Sequence, residues 1–259
     1  MTLLLLTPAI GALLGFVAGS FTAALAHRGP PRWGLVERDA PDGLGGRSRC
    51  VHCGAALGAR DLVPLASFVL NRGRARCCGA AIPARYPVIE ALGAVVGALA
   101  AWRFGLTVDA LAATLIGWTA LGLGAIDARD GVLPDAMTGP LLWLGLLANV
   151  GDRFARLDEA VMGAAAGYLG FRAIEEGYRL FRGRDGLGRG DAKFLAGWGA
   201  VLGWRLLPSV VLAAAALALA SVLIARVVRK KTIAADTSIA FGPPLAAAGF
   251  VVLIAFGGR

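Results

Sequence analysis

Long apolar runs separated by short polar segments form the main pattern of this chain. The runs cover residues 2–26, 86–102, 110–126, 136–151, 160–171, 194–204, 206–225 and 237–258. About 20 apolar residues are enough for a helix to cross the hydrocarbon core of a bilayer. Runs 160–171 and 194–204 are shorter, so they need tilt or flanking side chains that reach the interface. The pattern predicts an all-α polytopic membrane protein with about eight transmembrane helices.

Charge along the chain predicts how these helices are oriented. The chain has 26 Lys and Arg against 17 Asp and Glu. If the N-terminus lies outside, 21 of the 26 cations fall on the inner side of the membrane. Cytoplasmic loops carry such an excess, so topology explains the basic composition. Basic residues are not interleaved with aromatic ones as in single-strand nucleic-acid binders. We therefore expect a lipid bilayer and no nucleic acid as partner.

The polar segment 27–85 differs from all the others. It holds ten Arg, four acidic residues and all four Cys. Such a short segment cannot be stabilised by a hydrophobic core alone. We expect a first transmembrane helix in 1–26, a small cytoplasmic Cys-containing loop domain in 27–85, and a membrane domain in 86–259. In the cytoplasm the thiols are expected to be reduced.

Two carboxylates lie at the ends of apolar runs. Asp127 follows the third run, where a helix C-terminus disfavours negative charge. Asp191 precedes the sixth run, where it could be only an N-cap. Two crossings separate the residues, so both are predicted at the cytoplasmic boundary. Of two close carboxylates one keeps a proton, which allows one to act as general base and the other as general acid. An ion-coupled transporter using the same pair is the alternative.

Six short motifs occur in order along the chain. Two of them carry the carboxylates: AIDARDGVLPDAMTGPLLW at 125–143 and GRGDAK at 188–193. The others are GSF (19–21), RSRCVHC (47–53), RYPVIE (85–90) and FGPPLAAAG (241–249). Together they resemble the motifs of the type IV prepilin peptidases, membrane aspartic proteases of the GxGD type. The resemblance implies Asp127 and Asp191 as catalytic residues. It also implies supporting residues, namely Asp135, Gly188, Gly190 and Lys193. Asp135, which follows a proline, also suits a helix N-cap.

The resemblance implies a substrate and a second reaction. Family members remove a short basic leader from type IV prepilins and type II secretion pseudopilins, on the cytoplasmic side of the bacterial inner membrane. Many then methylate the new N-terminus with S-adenosylmethionine, an activity associated with the Cys-bearing loop. A peptidase that lacks the methyltransferase step is the alternative within the same family.

The cysteines depart from the family pattern of two spaced pairs. Cys50 and Cys53 form CxxC, but Ala75 occupies the place of the third cysteine and Cys77 precedes Cys78. A structural zinc site is closed by four protein ligands. We expect one zinc held by Cys50, Cys53 and Cys78, with Cys77 or His52 as a replaceable fourth ligand. A residual knuckle without metal is the alternative.

Overall fold

The computed structural model describes residues 2–38, 47–183, 188–229 and 240–258. These residues form helices and no β-strands, which confirms the all-α prediction. The helices are α1 (Thr2–Arg32), α2 (Ala66–Leu70), α3 (Arg85–Phe104), α4 (Val108–Asp130), α5 (Asp135–Asn149), α6 (Leu157–Arg182), α7 (Arg189–Leu202), α8 (Leu207–Arg229) and α9 (Gly242–Phe256).

Among the residues that the structure describes, four helices are long and apolar enough to cross a membrane. Their candidate spans are Leu6–Arg32, Arg85–Phe104, Val108–Asp130 and Trp204–Val227. Helix α9 is apolar but has only 15 residues. The chain is therefore a helical membrane protein, as predicted, while the number of eight spans stays a prediction.

Three helix boundaries differ from the apolar runs. Helix α1 continues past the predicted end at residue 26 to Arg32. Helix α6 extends beyond 160–171 at both ends. Its first turn carries Asp158 and Glu159, and its C-terminal half is a charged helix with i,i+3 ion pairs. Helix α9 starts at Gly242 with prolines in its first turn, as expected for a helix N-terminus. Part of the eighth run, 237–239, lies outside the described residues.

The chain forms two compact units, Met1–Thr114 and Leu115–Arg259. In the first unit α1 packs along α3 through glycines. A Cβ on Gly11 would lie 2.3 Å from the carbonyl oxygen of Gly97, and one on Gly15 would lie 2.4 Å from that of Gly93. Small residues at four-residue spacing allow such close backbone approach between membrane helices.

Helix α7 is the central helix of the second unit. Eleven of its 14 residues are buried, so the predicted short sixth run is a core helix. A Cβ on Gly199 would lie 2.1 Å from the carbonyl oxygen of Gly163 on α6. Buried Asn149 at the end of α5 donates to the Ala200 and Val201 carbonyls on α7, both at 2.9 Å. These contacts fix α7, and with it Asp191, among its neighbours.

Candidate active site and thiol cluster

Asp127 lies in the last turn of α4 and is buried, with 7% of its surface exposed. Its Oδ2 accepts a hydrogen bond of 2.7 Å from the backbone N–H of Gly242, the first residue of α9. A Cβ on Gly242 would lie 2.7 Å from the same oxygen. The close approach of the α9 backbone to this carboxylate therefore requires glycine at 242. Asp127 does not cap its own helix, in agreement with the sequence argument, but it accepts an N–H from the first turn of α9.

Asp191 is the third residue of α7 and is also buried. Gly188 is the N-cap of this helix, and its N–H donates to Asp191 Oδ2 over 3.2 Å. One carboxylate oxygen thus caps the helix, as the simpler interpretation of the sequence anticipated, although from the N3 position. The other oxygen, Oδ1, is buried and has no hydrogen-bond partner among the described residues. Asp191 therefore keeps one oxygen free for chemistry.

The structure brings Asp127 and Asp191 together, since the two carboxylates interact electrostatically. Both are largely removed from solvent, where charge is costly to maintain. Two like charges in such a place favour a state in which one group is ionised and the other protonated. This is the arrangement that acid–base hydrolysis by an aspartate pair requires.

The supporting residues predicted by the resemblance fall into two groups. Gly188 and Gly190 belong to the turn that presents Asp191, and a Cβ on Gly190 would lie 2.7 Å from the side chain of Leu133. Asp135 is instead the first residue of α5, after the N-cap Pro134, and not the N-cap itself. It accepts a hydrogen bond of 2.5 Å from Lys193 Nζ, and the two side chains are 74% and 39% exposed. This ion pair links α5 to α7 and leaves both residues accessible to solvent.

Two residues at the site were missed by the sequence argument. Gly242 belongs to a motif that was noticed, but no signal in the chain pairs its N–H with a carboxylate 115 residues away. Glu175 is buried in the charged half of α6 and pairs with two arginines. A carboxylate among other charged residues of an amphipathic helix gives no sign that it alone is buried.

In the first unit, the four cysteines form one cluster. Their Sγ atoms all lie within 4.8 Å of one another, with Cys50 and Cys78 3.8 Å apart and Cys53 and Cys77 3.4 Å apart. Zinc–thiolate bonds of about 2.3 Å give a tetrahedron with edges of about 3.8 Å. The thiols therefore fit a tetrahedral metal site. His52 is directed elsewhere, with Nε2 3.0 Å from the carbonyl oxygen of Ala81.

The cluster is built from two turns with the same backbone pattern, RCVHCGAA (49–56) and RARCCGAA (74–81). Each turn has an antiparallel bridge between its first and last residues. Each has a glycine at φ near 70°, Gly54 and Gly79. The N–H of the second residue donates over 2.8 Å to the carbonyl of the seventh in both turns. Ala75 therefore occupies the position of Cys50, and Cys77 occupies that of His52.

The thiols differ in acidity. Burial opposes ionisation of Cys50, but backbone N–H groups of Cys53 and His52 lower the pKa of its thiol to about 6. Hydrogen bonding to Cys53 and Cys50 raises the pKa of Cys77 to about 12. Within the cluster, the Cys50 thiol is therefore more acidic than the Cys77 thiol. A bound cation would replace the remaining protons, because metal ligands of this kind are thiolates.

A cavity of about 470 Å³ adjoins the cluster in the first unit. Its charged lining comprises two carboxylates and five arginines: Glu90, Asp61, Arg28, Arg47, Arg49, Arg74 and Arg76. Glu90 is anchored on α3, and its Oε2 accepts a 2.8 Å hydrogen bond from the N–H of Leu65. The volume of the cavity lies within the range of small-molecule and cofactor sites, about 300–1,000 Å³.

Comparison with known proteins covers both units. Residues 113–223 match the type IV leader peptidase family, and residues 13–104 match the bacterial peptidase A24 N-terminal domain. The chain is 42% identical to a prepilin leader peptidase/N-methyltransferase of Dickeya chrysanthemi, with 93% of this chain and 90% of that protein covered. It is 36% identical to a protein of the same description from Pseudomonas aeruginosa, with 93% and 88% covered. No solved structure matches the chain.

Proposed function

The chain belongs to the type IV leader peptidase family, and we propose that it is an aspartic endopeptidase of prepilins with Asp127 and Asp191 as its catalytic pair. Its substrates are type IV prepilins or type II secretion pseudopilins, and it removes their basic leader at the cytoplasmic face of the bacterial inner membrane. The observation that carries this proposal is the buried carboxylate pair with one unpartnered oxygen on Asp191.

The geometry supports a reaction in which the two carboxylates exchange roles. The ionised carboxylate takes a proton from a water molecule, whose oxygen attacks the carbonyl carbon of the scissile peptide. The protonated carboxyl gives its proton to the carbonyl oxygen. The tetrahedral intermediate then collapses: one of its hydroxyl groups returns a proton to the carboxylate that donated one, the C–N bond breaks, and the carboxyl that took a proton from water gives it to the nitrogen of the leaving chain. Both aspartates end the cycle as they began, as one ionised and one protonated group.

Backbone N–H groups orient the pair for this reaction. Gly242 donates to Asp127, and Gly188 donates to Asp191. Each bond comes from the first turn of a helix or its N-cap, so the helix dipole also favours negative charge there. Each bond occupies one oxygen and leaves the other carboxylate oxygen for water or for the peptide. Preorganisation of this kind is a main source of catalysis in enzymes.

The position of the pair in its helices favours a peptidase over the ion-coupled transporter. Asp127 is three residues from the end of α4, and Asp191 is the third residue of α7. Transporter sites lie near the bilayer midplane in broken helices. A substrate whose single apolar helix lies in the bilayer presents its leader at the boundary, where these helix ends are predicted to lie.

Incubation of the purified protein with a purified prepilin, followed by mass spectrometry, tests the peptidase proposal. We expect a product lacking the leader, with cleavage on the N-terminal side of the pilin's apolar helix. A soluble peptide that spans the leader and the cleavage site but lacks the membrane helix serves as a control. Unchanged prepilin with an inserted, folded protein would contradict the proposal.

We further propose that the four-thiol cluster binds one structural zinc through Cys50, Cys53, Cys77 and Cys78. The Sγ separations fit zinc, and the paired turns supply the backbone pattern for each half of the site. Bound zinc would lend the loop domain, residues 27–85, the stability that its short sequence cannot supply from a core. This domain is proposed to be cytoplasmic and to be separate in function from the membrane domain, 86–259.

For the methyltransferase step we propose that the cavity of the first unit takes S-adenosylmethionine. Glu90 and Asp61 would face the cationic groups of the donor, and the arginines would face its carboxylate. Tyr86 and Phe68 add aromatic surface to the lining. When bound, the donor supplies a methyl group for the new N-terminal amine. A cavity of this volume, lined by both carboxylates and arginines, fits a zwitterionic molecule of cofactor size.

Isothermal titration of the purified protein with S-adenosylmethionine tests the donor site without any reaction. We expect saturable binding that weakens about tenfold or more in Glu90→Gln. Glu37→Gln, which changes a carboxylate outside the cavity lining, serves as the matched control. Equal binding by wild type and Glu90→Gln would contradict the assignment of the cavity. Absence of donor binding would favour the peptidase-only alternative.

A further inference from the structure

Glu175 on α6 is a buried carboxylate that the proposed chemistry does not use. Only 7% of its side chain is exposed. Its Oε2 accepts a 2.5 Å hydrogen bond from Arg172 on the same helix. Its other oxygen, Oε1, lies 3.8 Å from Nε of Arg189, the first residue of α7. Burial of a carboxylate costs free energy unless the group is paired, so the presence of Glu175 in the interior calls for a reason.

The face of α6 that carries Glu175 reaches both backbone segments that present the aspartates. Phe171 lies one turn earlier on this face, because residues four apart are neighbours on a helix. Its ring packs against Phe241, with centroids 6.3 Å apart, and Phe241 immediately precedes Gly242. Through this contact α6 supports the N–H that orients Asp127. Through Glu175 it reaches the turn that orients Asp191.

The turn before Asp191 needs such support. Arg189 lies between Gly188 and Gly190, and glycine has more conformational freedom to lose than any other residue. The hydrogen bond from Gly188 to Asp191 exists only while this turn is closed. On one side the turn packs against Leu133, which occupies the space that a Cβ on Gly190 would need. Arg189 connects it to α6 by a charged contact.

We infer that Glu175 is a positioning residue, which holds the Gly188–Asp191 turn closed through Arg189 and so fixes Asp191. This inference rests on the proposed peptidase function. The Arg189 side chain is 72% exposed, so the ion pair alone contributes little stability. Its effect is orientational, and small displacements of a catalytic group are sufficient to reduce turnover strongly.

Glu175→Gln tests the inference, because it keeps the shape of the side chain and removes its charge. Glu176→Gln is the matched control: Glu176 is the next residue, pairs with Arg179 at the same i,i+3 spacing and 2.5 Å, and is 42% exposed. We expect kcat for leader removal to fall about tenfold or more in Glu175→Gln, with KM changed less than about twofold. Glu176→Gln should match wild type.

A double-mutant cycle separates positioning from general destabilisation. If Glu175 acts through Arg189, the Glu175→Gln/Arg189→Ala variant should lose no more kcat than the Glu175 variant alone. Full additivity of the two losses would overturn the inference. So would wild-type kcat in Glu175→Gln, or a fall in kcat that a lowered melting temperature fully accounts for.

Hydrogen exchange gives a readout that does not depend on cleavage. We expect peptides covering residues 188–193 to exchange faster in Glu175→Gln than in wild type or Glu176→Gln. Unchanged exchange in that segment would overturn the inference even for a protein that cleaves no prepilin. If wild type does not cleave but the exchange difference is present, the peptidase proposal fails while the positioning contact stands.

Discussion

The aspartate pair and the thiol cluster are assembled in opposite ways. The thiols lie within residues 50–78 and are held by two short turns, and three of the four are exposed. The carboxylates are buried and depend on three separate stretches of chain, around residues 127, 188–191 and 242. A local cluster can form within a small domain, whereas the carboxylate pair exists only when the second unit has folded. The two sites should therefore fail independently.

The largest expected effect comes from the carboxylates themselves. Asp127→Asn and Asp191→Asn should each lower kcat by at least about 10²–10⁴-fold, because an amide cannot exchange a proton as the carboxyl does. Zinc content should equal that of wild type in both variants. Mass spectrometry of the cleavage product measures leader removal, and elemental analysis of the same samples measures zinc content.

Asp130→Asn is the control for these variants, since Asp130 ends α4 beside Arg129 and before the turn at Gly131. It should cleave at close to the wild-type rate. Near-normal leader removal by either Asp127→Asn or Asp191→Asn would end the assignment of the pair.

A somewhat smaller loss of kcat is expected from Gly242→Ala. The added methyl would lie 2.7 Å from Asp127 Oδ2, so the carboxylate or the start of α9 must move. A displacement of about 1 Å can cost about 10²-fold in rate, so kcat should fall on that scale.

Gly170→Ala on α6 is the matched control, because its Cβ would have no atom within 4 Å. It should leave kcat unchanged and increase stability slightly, by about 0.5–1 kcal/mol. Equal rates for the two alanine variants would show that Asp127 does not depend on the α9 backbone.

An effect of intermediate size is expected on zinc content when the thiol cluster is changed, and leader removal should be unaffected. Cys77→Ser should lose most of its zinc and loosen residues 47–85, since metal affinity in such a domain is largely folding free energy. Ala75→Cys combined with Cys77→Ser should bind about one zinc again, because it restores in the second turn the spacing found in the first. Elemental analysis and hydrogen exchange measure both effects.

Two outcomes would contradict this description of the cluster. Full zinc retention in Cys77→Ser would show that His52 or another group replaces Cys77, as the sequence alone allowed. Loss of leader removal in Cys50→Ser, with the membrane helices still folded, would show that cluster and carboxylates are not independent.

The smallest effect is expected at the exposed ion pair between Lys193 and Asp135. Exposed pairs contribute about 0–1 kcal/mol, so Lys193→Ala should change the stability of the second unit by no more than that. Thermal unfolding in detergent, compared with Asp135→Ala and with the double variant, measures the pair. A loss of several kcal/mol would mean that the pair is shielded from water in the membrane.

Local features of the fold and site could be predicted from the sequence. Asp127 and Asp191 stand out because carboxylates at the ends of apolar runs need a reason, and the four cysteines stand out by their spacing. Helix α6 was predicted too short, because its second half is stabilised by ion pairs that an apolar pattern cannot register. The N–H of Gly242 and the burial of Glu175 depend on which helices meet. Hydropathy does not contain that information.

The shared backbone of the two cysteine turns has a consequence for how this site could change over generations. An ancestor with cysteine at both 75 and 77 would have five thiols for four coordination positions around one ion. Either residue could then be lost without an intermediate that fails to bind metal. A ligand can move two residues along such a turn by neutral steps, because the ion requires a tetrahedron of sulfur and not a particular place in the chain. The unusual vicinal pair Cys77–Cys78 is what such a history would leave.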